Sequence, residues 1–238
     1  MAILRFDILT TFPELFSDLP GGALNSSIPS RARAAGLVEW HATNIREFAK
    51  DKHQKTDDRP FGGGPGMVMM CQPVWEAVHA VEAQDPRPAT RILLTPQGRL
   101  LNQQLVEELA AKPRLLLIAG HYEGLDERVV EKLAPLEVSI GDYVLSGGEL
   151  GAMVLMDAII RLLPGALGHE DSAAQDSFSA TESGNMRLLD CPHYTKPREW
   201  MGLPVPEVLL SGDHGAIDAW RHQQRIDRTR VRRPDLLH

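Results

Sequence analysis

Two rhythms of apolar residues alternate along the chain. Short runs rich in Ile, Leu and Val predict strands, and stretches with apolar residues every three or four positions predict amphipathic helices. On this basis Ile3–Leu9, Val38–Thr43, Arg91–Thr95, Arg114–Ala119 and Leu136–Ile140 are expected to be strands. Pro13–Leu19, Pro73–Glu82, Asn102–Ala111, Asp126–Leu133 and Glu149–Leu163 are expected to be helices. Pro73 lies near its helix start, where the missing N–H costs nothing. After its arginine, Arg114–Ala119 is wholly apolar, as a strand covered on both faces must be. Strands alternating with helices predict an α/β fold with a mostly parallel sheet. No internal repeat is visible.

The pattern changes after Pro164. Residues 165–175 are small, polar and acidic without a clear period, which predicts a flexible linker. Beyond it Pro192, Pro197, Pro204 and Pro206 keep the chain extended, and Ala216–Val231 is expected to be helical. The expected organisation is a ligand-binding domain over 1–164, a linker over 165–175 and a smaller, mainly helical domain over 176–238.

Glycine punctuates the strand ends. Gly141, Gly147 and Gly148 bracket a hairpin-like loop in GDYVLSGGEL (Gly141–Leu150), which runs into the helix at Glu149. TPQG (Thr95–Gly98) and AGHYEG (Ala119–Gly124) follow two other strands. Glycine lets backbone approach a ligand closely, and turns at the carboxyl ends of parallel strands are where α/β proteins bind nucleotide-like molecules. Three such corners wall one pocket of adenosine size.

Composition narrows the classes. With 43% hydrophobic residues the chain can bury a core, and its net charge of -7 excludes a uniformly basic protein while leaving room for a local basic patch. The two cysteines, Cys71 and Cys191, form no CxxC or His/Cys cluster, which argues against structural zinc and suits a reducing cytoplasm. The first residues lack the plan of a signal peptide. No apolar run reaches the ~18 residues of a membrane span; the nearest, Ala152–Leu163, contains Asp157 and Arg161.

Several residues carry two readings each. The loop Arg59–Met67, RPFGGGPGM, is either a connector or a backbone cradle for phosphate, flanked by Lys52, Lys55 and Arg59. It is not a P-loop. Glu123 is either a helix-start acid or a carboxylate facing a ligand, and Tyr122 and Tyr143 are either core aromatics or pocket groups. Spacing alone makes Asp176 a solvated loop acid, Arg161 a helix-end cation, Asp190 a turn residue, and His193 and Tyr194 packing groups. Arg221, Arg225, Arg228 and Arg232 share one helical face, joined by Arg230 and Arg233 against a single acid, Asp227. Such a concentration suits a phosphate backbone and salt-sensitive binding.

In order, DDRPFGGGPGMVM, LTPQGR, GHYEGLDERV, GDYVLSGGEL, QDSF and LLDCPHYTKP resemble the bacterial tRNA (guanine-N1)-methyltransferases of the SPOUT class, over roughly residues 3–235. The resemblance implies a deep trefoil knot around an S-adenosylmethionine site, a homodimer whose active site joins one subunit's knotted domain to the other's C-terminal domain, and no membrane association. It implies tRNA as partner, methylated on the guanosine 3′ of the anticodon where another guanosine precedes it. Leu94, Pro96, Gln97, Gly120, Tyr122, Glu123, Gly124, Ile140, Gly141, Tyr143, Leu145, Gly147 and Gly148 would line the donor pocket. Asp176 would be the general base and Arg161 its electrostatic partner. Ser177, Asp190, Arg59, Arg221, Arg225 and Arg228 would serve the RNA, and Mg²⁺ stimulation through Glu123 is compatible with it. Three stretches depart from the family pattern: the longer segment 179–187, Gly151 where proline is frequent, and Asn25–Gly36.

The alternatives are a ribose 2′-O-methyltransferase of the same class, which would not need Asp176, and a non-catalytic RNA-binding module using the arginine face. No GxGxxG opening a βαβ unit supports a nicotinamide enzyme.

Overall fold

A computed structural model describes residues 3–18, 22–167, 176–179 and 186–237. The chain divides into two compact units, Met1–Gly168 and His169–His238. The first carries strands β1 (Leu4–Thr10), β2 (Val38–Asn44), β3 (Asp57–Asp58), β4 (Val68–Met69), β5 (Thr90–Leu100), β6 (Arg114–Ala119) and β7 (Leu136–Ser139). Its α-helices are α1 (Ser27–Ala34), α2 (Cys71–Glu82), α3 (Gln103–Ala110), α4 (Glu127–Leu133) and α5 (Glu149–Ile160).

Five strands form one parallel sheet in the order β2-β1-β6-β5-β7. Side chains alternate across it. Phe6, Ile8, Ile92, Leu115 and Leu117 face one core, where they meet Leu155, Met156 and Ile159 of α5 and Leu105 and Leu109 of α3. Leu9, Leu93, Leu116 and Ile118 face the other, against Val74 and Val78 of α2 and Val129 and Leu133 of α4. Both faces are therefore covered, which is why β6 reads as an unbroken apolar run.

Most predicted elements are present, with ends moved by capping. Asn102 and Asp126 lie outside their helices as N-caps, their side chains accepting from the amides of Leu105 and Arg128. Strand β5 runs past Thr95 to Leu100 because it resumes pairing with β7 at Arg99 after a register shift at Leu94. Helix α1 went unread: it buries only Pro29 and Ala32, too few apolar positions to make a stripe. The described part of the expected linker, 165–167, still belongs to the first unit, since Ala166 is buried in its core; the rest, 168–175, lies outside the described residues. No helix among the described residues is long and apolar enough to cross a membrane.

The second unit is built on the helix His214–Arg232, preceded by the antiparallel pair β8 (Glu199–Trp200) and β9 (Leu203–Pro204). Asp213 caps the helix through the amide of Ala216.

The edge of the first unit opposite the strand carboxyl ends is closed by Arg114, which is fully buried. Its guanidinium donates to Asp7 Oδ2 at 2.7 Å and to the carbonyls of Val81, Glu82, Asp85 and Arg87 at 2.7, 3.2, 2.7 and 3.3 Å. One cation thereby ties β1 and β6 to the end of α2 and its following turn. A buried charge persists only when its donors are all used. Arg114→Met strips donors from four carbonyls and Asp7 at once, and we expect it to cost about 3–5 kcal/mol. A thermal melt indistinguishable from wild type would show that the network is not holding the sheet edge.

Candidate functional site

At the carboxyl ends of β5, β6 and β7 lies a cavity of about 310 Å³, at the lower end of the range for small-molecule sites. The loop within β5 supplies Thr95, Pro96 and Gln97; the loop after β6 supplies Gly120 to Leu125; the loop after β7 supplies Ile140, Gly141 and Tyr143 to Gly148. All thirteen residues predicted for a donor pocket line this one cavity: Leu94, Pro96, Gln97, Gly120, Tyr122, Glu123, Gly124, Ile140, Gly141, Tyr143, Leu145, Gly147 and Gly148.

The walls are held to one another by backbone. Gly148 N–H donates to Gly120 O at 2.8 Å, and His121 bridges Gly147. A methyl group on Gly148 would lie 2.8 Å from Ala119 Cα, closer than carbon atoms pack. The loop Gly141–Gly148 is thus not a free hairpin but a strap pressed onto the end of β6. On the opposite wall, Glu123 N–H donates to Met67 O and Met69 N–H to Gly124 O, each at 2.9 Å. This joins the β6 loop to the ribbon β3–β4 that flanks the Gly-rich loop.

The open readings resolve in part. Tyr122 and Tyr143 are 46% and 55% exposed, so neither is a core aromatic. Tyr143 Oη donates to Ile140 O at 3.1 Å, folding the loop onto itself. Glu123 is not the acid at the start of α4, a role taken by Asp126. Its carboxylate instead packs against Gly66, whose φ of +83° and missing Cβ make that contact possible. Arg59 is exposed, its amide donating to Asp58 Oδ1 at 2.8 Å, and Phe61 beside it is almost fully exposed. Arg161 follows α5 as its C-cap and is half-buried, a position that favours a cation.

In the second unit, Asp176, Ser177 and Asp190 come together. Asp176 O accepts from Ser179 Oγ at 2.8 Å and so forms a turn. Ser177 Oγ accepts from the Asp190 amide at 2.9 Å, and Phe178 N–H donates to Leu188 O at 2.8 Å. The turn bearing Asp176 is therefore fixed to the strand-like segment leading to Asp190. That segment is fixed in turn to the C-terminal helix: Leu189 N–H donates to Thr229 Oγ1 at 2.9 Å, and Arg225 Nε donates to Leu189 O at 3.4 Å. Burial pushes the Asp190 carboxyl up, but hydrogen bonds from His193 Nε2 (2.8 Å) and the Cys191 amide (2.6 Å) outweigh it and hold the group below the usual carboxylate range. Cys191 and His193, expected to form no cluster, do approach each other beside Asp190, with one donor atom of each of the three within 4.8 Å of the others.

The arginine face is less bare than its sequence suggests. Arg221, Arg230 and Arg233 pair with Asp218, Asp227 and Asp235 at 3.6, 3.2 and 2.6 Å. The acids lie three residues before the arginine or two after it, and Asp218 and Asp235 fall outside the stretch in which Asp227 was the single acid. Arg225 and Arg228 are half-buried, and Arg221 is exposed.

Two residues beside the cavity had no sequence signal that separated them from their motifs. His121 lines it, and Glu149, just outside it, is buried at the start of α5.

Because Gly148 meets backbone rather than a movable side chain, Gly148→Ala should destabilise the protein by about 1–3 kcal/mol, read as a lower thermal midpoint. A melt indistinguishable from wild type would show that the strap is not pressed onto the end of β6.

The chain matches the family described as "tRNA (Guanine-1)-methyltransferase TrmD" over residues 4–238. It is 54% identical over 234 residues to a tRNA (guanine-N(1)-)-methyltransferase of Chloroflexus aurantiacus, covering 98% of this chain and 88% of the relative. A protein of the same description from Halorhodospira halophila is 53% identical over 233 residues, covering 98% and 84%. Another from Ruminiclostridium cellulolyticum is 51% identical over 237 residues, covering 99% and 97%. With a match of this extent, and the glycine corners and the QDSF and LLDCPHYTKP segments all inside it, the chain belongs to the TrmD family of tRNA (guanine-N1)-methyltransferases.

Proposed function

We propose that the chain transfers a methyl group from S-adenosylmethionine to N1 of the guanosine 3′ of the anticodon in tRNA, with Asp176 as general base and Arg161 stabilising negative charge on O6. The observation that carries this reading is the convergence of the glycine loops after β6 and β7 and the irregular stretch of β5 on one 310 Å³ cavity in a chain of this family.

The cavity fits the donor in kind. Leu94, Ile140 and Leu145 give apolar surface for a purine, and glycine corners leave backbone groups open to its polar edge. When bound, S-adenosylmethionine supplies a methyl already activated by its sulfonium, so the protein's task is to bind, orient and remove a proton. Guanine N1 carries that proton and is a poor nucleophile until it is lost. Of the described residues lining the cavity, Glu123 is the one carboxylate, and it packs against Gly66. His121 Nε2 is held by Glu149 at 2.7 Å. In this reading the base comes from the second unit. Asp176 sits on a turn fastened through Ser177 to Asp190, so the base and a group able to read the preceding guanosine travel together.

In this reading the chain is knotted around the donor site, and the strap seated on the end of β6 supports a threaded path. Two copies pair so that the pocket of one is completed by the C-terminal unit of the other. The exposed Tyr122, Tyr143 and Val144 at the rim suit such a covering surface. The target base leaves its stack to reach the pocket, and Arg59, Arg221, Arg225 and Arg228 contact phosphate. The chain works in the cytoplasm. Mg²⁺ would act through Glu123, and a rate unchanged in chelator would remove it.

Methyl transfer to tRNA transcripts, with the nucleotide before the target varied, tests the reading directly. Asp176→Asn should lower kcat about 10²–10⁴-fold while leaving the donor dissociation constant unchanged. Arg161→Ala should lower kcat about 10²–10³-fold, as loss of an oxyanion donor does, with little change in donor affinity. Near-wild-type turnover of either variant at saturating tRNA would end its assignment. Separately, Arg225→Gln with Arg228→Gln should weaken tRNA binding for all transcripts alike and flatten the dependence of log affinity on log salt by about 1–2; an unaltered slope would take the helix off the RNA.

A further inference from the structure

We infer that Glu149 is a positioning residue for the donor pocket, acting through a closed ring of contacts with Thr10, Phe12 and His121. This inference rests on the donor-pocket reading above.

Glu149 is the first residue of α5, yet its side chain is 5% exposed. A surface acid at a helix start would need no partners beyond water and the helix dipole. Glu149 has two side-chain partners from two other elements. Thr10, the last residue of β1, donates its hydroxyl to Glu149 Oε1 at 2.5 Å. His121, in the loop after β6, places Nε2 2.7 Å from Glu149 Oε2, with its own side chain 16% exposed. The ring closes on the far side. Phe12 donates its amide to Thr10 Oγ1 at 2.9 Å and sets its ring 4.8 Å from the imidazole of His121.

What this ring holds is the seam between two pocket walls. His121 bridges Gly147, and Gly148 N–H reaches Gly120 O. A side chain on Gly147 would run into both the His121 imidazole and Glu149 Oε2. The glycine is bare where the ring passes beneath it. Neither Thr10 nor Glu149 lines the cavity, whereas His121, Gly147 and Gly148 do. Buried hydrogen-bonded carboxylates fix geometry strongly because an unfilled acceptor in low dielectric is costly. The carboxylate therefore sets the spacing of the β6 loop against the strap, and with it the shape presented to the donor.

Thr10 is the place to test this, since valine keeps its shape and removes only the hydroxyl. With the full-length protein, Thr10→Val should raise the S-adenosylmethionine dissociation constant and the donor KM about five- to tenfold, the scale of one lost hydrogen bond. kcat at saturating donor and the KM for tRNA should stay within about twofold, and Thr10→Ser should restore donor KM. Glu149→Gln, which keeps an acceptor but loses the charge, should show the same split and provides a second route should Thr10→Val fold poorly. If either variant lowers the melting temperature or active fraction while donor affinity per active site is unchanged, the ring is only a scaffold and the inference is overturned. If the wild-type protein itself fails to bind S-adenosylmethionine, the donor-pocket reading fails instead, and the two outcomes are told apart by that control.

Discussion

The strand-end cavity depends on one close approach, backbone against backbone, where the strap Gly141–Gly148 meets the end of β6. The Gly148 amide lies 2.8 Å from Gly120 O, and there is room for a hydrogen but not a methyl at Gly148. Much else follows from that seam. It brings Tyr143 to Gly148 to the cavity as one of its walls, beside Leu93–Gln97 of β5 and the loop after β6. It starts α5 at Glu149, so the helix runs straight from the pocket wall into the core, where Leu155, Met156 and Ile159 are fully buried. A pocket wall tied to core packing in this way has few independent motions, and rigid walls bind a flexible ligand at lower entropic cost.

The two cores explain how such a strap can be held. Strand β6 is buried on both faces and its first residue is the fully buried Arg114, hydrogen-bonded to α2 and the turn that follows it. One end of the strand is therefore pinned by a satisfied cation and the other is clasped by the strap. The functional loops stand at the carboxyl end, where a parallel sheet leaves amides and carbonyls without ladder partners. The structural charge stands at the other end. The separation keeps a strong fixed cation away from the cavity.

Much of this was legible in the chain. Alternating apolar rhythms yielded the α/β class and all five strands of the parallel sheet but none of the two-residue strands β3, β4, β8 and β9, because burial on both faces leaves β6 apolar after Arg114. The glycine corners were legible for the same reason that they work: a Cβ is excluded there, so the residue type reports the geometry. What could not be read was anything set by a partner distant in sequence. Glu149 looks like an ordinary helix-start acid until Thr10, 139 positions away, is seen to donate to it. Strand β5 looks finished at Thr95 until β7 picks it up again at Arg99. Glu123 stayed open between a helix-start acid and a ligand-facing carboxylate until Asp126 was seen to cap α4. The arginine face looked nearly unopposed because Asp218 and Asp235 lie beyond the window counted, although each forms an ion pair with it. Helix α1 buries too little to leave a mark.

The chemistry proposed here divides along the same lines as the structure. A methyl donor needs a fixed, shaped container, and the first unit supplies one from strand ends and glycine. The acceptor is a base in a folded RNA, which cannot be approached by a rigid wall alone. The acid proposed to take its proton belongs to the second unit, on a turn tied to Ser179, Leu188 and Asp190 of that unit. Asp190 is held ionised by His193 and the Cys191 amide, as an acceptor for a guanine edge should be, and it is joined by one hydrogen bond to the residue after the base. In the proposed reaction an enzyme that must deprotonate only the correct guanosine gains from this coupling: the hydrogen bond between Ser177 and Asp190 makes placement of the base depend on the residue proposed to read the neighbouring guanosine.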